Sequence, residues 1–325
     1  MPGNTEIKSV QSPLPIVRFG GVRRLWLKLQ VAGMLKLAGL GREPVQVDAC
    51  RVLGATQGKP LIRVTLICRG LTAGGGSLKS ASEALAKAFG EFCECLQVFN
   101  EDHVLGETRS GWATAADEDT AKTRAYYELI ERDSLITHFL CPEVRAFPLP
   151  KPGYAALPVR LARLWSADPT VNVVLCGLRE GPDDPWFLGA GGEMEAAAAT
   201  EKAFIECVSV YCGYRNAAAS TTQTGTRHTE ILKHIQASTH PNMRKNLEAI
   251  FTGAGTLQPD FATSGEAAIF QTRARLGKRL VIVLATHPGL SQLTFGPLWQ
   301  DSEAEIMGLL KGRNLNPVWG VHPFA

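Results

Sequence analysis

Glu128 and Glu131 lie three residues apart in "RAYYELIERDS", with Arg132 directly after the second. Residues at i and i+3 share one face of a helix, so the two carboxylates would stand about 5 Å apart. At an effective dielectric of 20 they would repel by roughly 3 kcal/mol. In a segment otherwise apolar enough to be buried, such a pair calls for a compensating cation. The spacing recurs: Ala84, Lys87, Ala88, Glu91 and Glu94 align with Ala121, Arg124, Ala125, Glu128 and Glu131, and with Ala199, Lys202, Ala203, Glu206 and Ser209. The shared pattern is A-x-x-[KR]-A-x-x-E. Each copy follows a glycine-bearing stretch, "GGGS" at 74–77, "SGWA" at 110–113 and "GAGG" at 189–192, which reads as a glycine turn. Small residues at i and i+4 would let the helices approach one another closely.

If the three helices converge, Glu91, Glu94, Glu128, Glu131 and Glu206 gather up to five negative charges, tolerable only with multivalent cations or protonation. Mg²⁺ suits an all-oxygen shell. It normally keeps positions for water and substrate phosphates, so a nucleotide or diphosphate is the expected ligand. Lys87, Arg124, Arg132 and Lys202 could then meet phosphate oxygens. A di-iron centre would require Glu-x-x-His motifs, which Glu128 and Glu206 do not begin. No G-x-x-x-x-G-K-[ST] run is present, and "GAGGEM" is not a dinucleotide fingerprint. The eight cysteines lack paired zinc-finger spacing and read as reduced core thiols. The seven histidines form no triad or ligand spacing, and no G-x-S-x-G elbow occurs.

The elements that must position these side chains are visible as periodicity. Strands are expected in "PLIRVTLICRG", "VNVVLCGL", "PWFLGAGG" and "RLVIVLATHPGL". Helices are expected in "SASEALAKAFGEFCECLQVF", "EDTAKTRAYYELIERDSLITHFL", "EMEAAAATEKAFIECVSVYCGY" and "HPNMRKNLEAIF". Without a strict βαβ rhythm this is an α+β fold. Residues 1–42 carry seven Lys and Arg against Glu6 alone, a solvated basic face or a docking surface for an acidic partner. "TTQTGTRHTE" near 221–230 reads as a surface loop.

In the 325 residues, 45% are hydrophobic, enough for a sizeable core. A net charge of +3 gives no argument for nucleic acid, and 20% charged residues is below what a disordered chain would show. The apolar runs are broken by lysine or Pro-Gly before they reach a membrane span, and the N-terminus lacks a secretory pattern. The expectation is a cytoplasmic protein.

"SGWATAADEDTAKTRAYYELIERDS" resembles the signature of YcaO-like proteins, "GGGSLKSASEALAKAFGEFCECL" the family's earlier motif helix, and "GAGGEMEAAAATEKAFIECVS" its later one. The likeness covers roughly residues 60–325. It implies one YcaO-type domain over 51–325, with mixed sheets and three motif helices converging on a Mg-nucleotide site. Residues 1–50 would be an N-terminal basic segment for partner docking. It further implies that ATP and Mg²⁺ are held through the five glutamates, with Lys87, Ser110, Arg124, Arg132, Lys202 and Ser209 binding the nucleotide.

The family's chemistry activates a backbone amide of a ribosomal precursor peptide by phosphorylation, so that Cys, Ser or Thr closes to a thiazoline or oxazoline. Relatives form thioamides or amidines instead, and a nucleotide-binding scaffold subunit is a further alternative. The implied partners are the precursor peptide, a second subunit that binds its leader, and a flavin dehydrogenase. In azoline-forming members the C-terminus approaches the reacting amide, which makes the Ala325 carboxylate and His322 the catalytic acid–base candidates. The chain departs from the pattern at Cys95, where arginine is expected, at Ser209, where glutamine is expected, in the short link from Glu94 to Ser110, and in its tail "NPVWGVHPFA". Arg273 or Arg275 is the candidate replacement cation.

Overall fold

The computed structural model describes residues 14–40, 44–68, 71–100, 111–219, 235, 238–259, 267–277, 280–290 and 299–317. In chain order the elements are β1 (Ile16–Arg18), α1 (Gly21–Leu37), β2 (Gln46–Val52), β3 (Leu61–Cys68), β4 (Leu71–Ser77), α2 (Ala81–Asn100), β5 (Trp112–Ala115) and α3 (Glu118–Leu140). There follow β6 (Phe147–Leu149), β7 (Arg160–Leu164), β8 (Asn172–Leu178), β9 (Phe187–Glu193), α4 (Ala196–Ala219), α5 (Pro241–Thr252), β10 (Ile269–Leu276), β11 (Leu280–Thr286) and α6 (Trp299–Gly312). The expected helix at 118–140 matches α3 residue for residue.

These elements form three antiparallel sheets, ordered β1-β2-β3-β4, β10-β11-β5 and β6-β7-β8-β9. Each is backed by one motif helix: α2 lies on β4 and β3, α3 on β11 and β5, and α4 on β9 and β8. Local signals start the helices where they do. Asp117 accepts the Thr120 N–H at 2.8 Å and caps α3, with Glu118 and Asp119 favourably placed in its first turn. Ser80 Oγ accepts the Glu83 N–H at 3.1 Å at the start of α2.

Of the three glycine stretches, "SGWA" does turn, with Gly111 at φ 78° just ahead of β5, but the other two do not. Gly74–Gly76 lie within β4 and Gly189–Gly192 within β9. A Cβ on Gly75 would stand 2.1 Å from the Ala84 carbonyl oxygen, and one on Gly191 would stand 2.2 Å from that of Ala199. The alanine pairs of the motif therefore seat each helix on bare strand backbone. The close approach the spacing implies is helix against sheet rather than helix against helix. In the middle unit the small residues are alanines on both sides: Ala121 and Ala125 pack in one cluster with Ala113, Ala115 and Ala285.

The N-terminal segment is built into the same core. β1 pairs with β2, and Leu27, Val31 and Leu35 of α1 pack with residues of β2, β3, β4 and α2. A division at residue 50 would fall inside β2, which is paired on both edges.

His138, on the buried end of α3, is fully enclosed. The Trp165 N–H donates to its Nε2 at 3.2 Å, so the neutral ring carries its proton on Nδ1, 2.9 Å from the Ser134 carbonyl. Burial pushes its pKa down to about 4 from an ordinary 6.5. The unfolded chain takes up a proton at this residue as pH falls through 6.5, whereas the folded chain resists until about 4. The contribution to stability is thus lost across that window, reaching about 3 kcal/mol at its lower end. Urea unfolding at pH 7 and pH 5 should show wild type losing about 2 kcal/mol more than His138→Gln between the two. Equal losses would refute the assignment.

Candidate functional site

The three units bring their motif glutamates together, and the strands hold them by backbone. Glu94 on α2 accepts the Thr114 N–H of β5 at 2.7 Å, and Glu91, one turn earlier, accepts the Gly74 N–H of β4 at 3.0 Å. Glu206 on α4 accepts the Ala190 N–H of β9 at 2.7 Å. Glu131 on α3 accepts the Gly192 N–H of the same strand, also at 2.7 Å. Gly192 has to be bare: a Cβ there would lie 2.9 Å from the Tyr127 carbonyl oxygen and 3.0 Å from Glu131 Cβ. Sequence reasoning found the carboxylates but not these N–H partners, which leave no mark in residue type except at Gly74 and Gly192.

Two cations answer the repulsion between Glu128 and Glu131. Lys202 Nζ lies 2.8 Å from Glu131 Oε2, reaching across from α4 to α3. Arg132 lies on the other side, its Nε 3.8 Å from Glu128 Oε1. Glu131, Glu128, Glu206 and Glu91 all act on this guanidinium and keep it firmly protonated despite burial. Its Nη1 is buried with no hydrogen-bond partner among the described residues.

Lys202 and Arg132 face Glu94, Glu128, Glu131 and Glu206, and the imbalance shows in the acidities of these four. Burial, then Glu128 and Glu91, push the Glu94 carboxyl well above its ordinary value. Burial pushes Glu128 up to about 7, with Arg132 opposing and Glu131 adding to the rise. Glu206 is raised by burial and by Glu131. Glu131 alone runs the other way: burial would raise it, but Lys202 and Arg132 together hold it below the usual carboxylate range. Glu131 and Lys202 are therefore a satisfied pair, whereas Glu128 and Glu206 share the influence of Arg132 and, with Glu94, keep raised pKa values.

This donor set fits a hard cation with an anionic ligand. Glu94, Glu128 and Glu206 supply oxygen donors, and the orphaned Arg132 Nη1 supplies a donor for a phosphate oxygen. Among the described residues no three His, Cys, Asp or Glu side chains form a ready-made metal cage. Mg²⁺ held by one or two carboxylates plus water and phosphate needs none.

The remaining sequence-derived residues are spread more widely. Lys87 pairs with Glu83 at 3.1 Å on its own helix. Arg124 is exposed, its Nη1 3.5 Å from the Thr114 carbonyl oxygen. Ser209 is half-buried on α4 and faces β4, its Oγ 3.5 Å from where a Gly76 Cβ would stand. Cys95 is buried beside Glu94. Arg275 pairs with Glu118 in the first turn of α3, and Arg273 lies over the Trp112 ring at 5.6 Å. Ser110, His322 and Ala325 lie outside the described residues, as does the loop expected at 221–230.

An α+β domain of three helix-backed antiparallel sheets, closing on a glutamate-rich, arginine-centred site, defines a class built to bind a metal with an anionic ligand. The family described as YcaO cyclodehydratase, ATP- and Mg²⁺-binding, matches residues 95–293, and the chain belongs to it. The match opens at Cys95, so Glu91 and Glu94 just precede it. Among solved structures, the chain is similar to YcaO from Methanopyrus kandleri bound with AMPPCP and Mg²⁺ (13% identity, TM-score 0.56, 86% of this chain and 92% of that one). It is also similar to the E. coli microcin synthetase McbBCD complex (10% identity, TM-score 0.55, 75% and 88%). The same complex with pro-MccB17 bound gives 11% identity at the same TM-score and coverage. At these identities the likeness is one of fold. No curated protein sequence matches the chain. Among the described residues no helix is long and apolar enough to cross a membrane.

Proposed function

We propose that this protein uses ATP and Mg²⁺ to activate a backbone amide of a ribosomal precursor peptide. Attack by a neighbouring Cys, Ser or Thr side chain, phosphorylation of the amide oxygen and departure of phosphate give a thiazoline or oxazoline, with net loss of water. The observation that carries the reading is the pair Glu128 and Glu206 acting on the Arg132 guanidinium, whose buried Nη1 has an unused N–H, with Glu94 beside Glu128. When bound, Mg-ATP supplies the phosphoryl group that turns an amide oxygen into a good leaving group. Glu94, Glu128 and Glu206 would hold the cation, and Arg132 and Lys202 would orient phosphate oxygens, fixed in advance by the strand N–H groups. The Ala325 carboxylate and His322 are the proposed acid–base groups near the reacting amide.

The protein acts in this reading as one subunit of a peptide-modifying synthetase, a second subunit binding the leader peptide and a flavin dehydrogenase oxidising the rings. The likeness in fold to the microcin synthetase McbBCD complex, also seen with pro-MccB17 bound, supports a peptide substrate and partner subunits. A second reading, a nucleotide-binding scaffold, is favoured by Cys95, which puts a buried thiol where α3 has Arg132. Phosphate release and peptide mass, measured with ATP, Mg²⁺, precursor peptide and partner subunit together, decide between them. ATP turnover with loss of water is expected. Turnover with gain of sulfur would replace azoline by thioamide chemistry, and no turnover would favour the scaffold.

A further inference from the structure

Helix α1 is apolar on two opposite faces. Leu27, Val31 and Leu35 are at most 3% exposed and pack it onto the first sheet. On the far side Val22 is 85% exposed, Leu29 64%, Leu25 58%, Leu37 53% and Trp26 44%. At about 100° per residue these five positions fall within about 60° of one line, opposite the packed face. The stripe runs about 22 Å along the helix and exposes on the order of 500 Å² of side chain, at the upper end of what a monomer normally leaves in water. Lys28 borders it on one side and Arg23 on the other, and Lys36 stands within it between Leu29 and Leu37, all three exposed. From Lys8 to Arg42 the sequence has no acidic residue.

We propose that this face docks a partner protein presenting an apolar surface bordered by carboxylates. Burying the stripe recovers the cost of its exposure, at about 25 cal/mol per Å². Bordering carboxylates would meet Arg23, Lys28 and Lys36 and fix the register. A second copy of the chain answers the charge poorly, because it would bring the same three cations and no carboxylate from its own α1. An anionic lipid surface is disfavoured by placement, since lipid-binding helices typically gather four to eight basic residues, and of the four on α1 Arg24 turns away to donate to the Val47 carbonyl at 3.3 Å. The inference deepens the reading of the protein as a subunit of a complex and rests on that part alone.

The test uses the full-length protein and a synthetic amphipathic peptide of about five helical turns, with leucines on one face and glutamates along its flanks. A twin carrying lysines on the flanks serves as control. The acidic peptide should bind at least tenfold tighter than its basic twin, lose affinity with added salt, and shift the fluorescence that Trp26→Phe removes. Leu25→Glu combined with Leu29→Glu should weaken it at least tenfold, with thermal unfolding and Mg-ATP binding unchanged. Equal binding of both peptides, indifference to the double substitution, a wild-type dimer that the substitution dissolves, or preferential binding to phosphatidylserine vesicles would each overturn the proposal. Failure of the catalytic reading would appear separately, as absent ATP consumption with α1 binding intact.

Discussion

Replacing Glu128 with Gln is expected to cut ATP consumption by about 10²–10³-fold, the range set by loss of one aimed charged group in an active site. In the absence of nucleotide the same variant should be more stable than wild type, by about 1–3 kcal/mol at pH 8. The two effects share one cause. The folded-state pKa of Glu128 is pushed up to about 7 by burial, so a proton there favours the folded chain. As pH rises through 7 that contribution is lost, and the ionised carboxylate opposes folding. Gln keeps the shape and removes the charge.

Glu131→Gln should behave oppositely, because Lys202 and Gly192 already satisfy its carboxylate and its removal orphans both. That variant should lose stability as well as activity. Phosphate release and urea unfolding of the two variants side by side read all four outcomes. Wild-type turnover in a folded Glu128→Gln protein would remove this residue from the site, and equal loss of stability in both variants would show that Arg132 already offsets the burial of Glu128.

Much of this site was legible because its parts are local. Glu128, Glu131 and Arg132 sit within one helical turn, and the period that predicts α3 also places them on one face. The threefold repetition of that spacing marked Glu94, Glu206 and Lys202 as members of the same group. Gly111 does turn, but the glycines of β4 and β9 misled for a physical reason: a run such as "GGGS" signals a turn because glycine tolerates left-handed backbone. Here it lies in an extended strand, since the helix above leaves no room for a Cβ on Gly75. β2, β5, β10 and α6 carry weak or mixed periodicity and were not resolved from sequence. The double-faced character of α1 was hidden for the opposite reason, because apolar residues on both sides leave no clear stripe. Long-range pairs were beyond reach altogether, and Asp133 with Arg313 is the clearest case.

Arg313→Ala is expected to destabilise the fold by about 3–5 kcal/mol, the cost of leaving a buried charge without its partner. Asp133 follows Arg132 in the sequence and is fully buried. Arg313 grips it bidentately, Nη2 to Oδ1 at 2.8 Å and Nη1 to Oδ2 at 3.1 Å. The same guanidinium donates to Thr137 Oγ1 at 3.1 Å and to the Gly289 carbonyl at 2.6 Å. It thereby ties α3, the segment after β11 and the end of α6 together. Asn314, in the left-handed region at φ 57°, turns the chain, and Leu315 packs with Ile136, Leu140 and Leu310.

A drop in Tm of roughly 5–10 °C would accompany the loss. Asp133→Asn should cost a comparable amount, and the double variant Asp133→Asn with Arg313→Met much less than the two singles added, because no charge is then left unpaired. Strict additivity would show that the two residues act independently. Because Asp133 adjoins Arg132, the single variants should also weaken Mg-ATP binding at temperatures where they remain folded, and the double variant should recover part of it. Unchanged nucleotide affinity in folded Arg313→Ala protein would confine the clamp to stability.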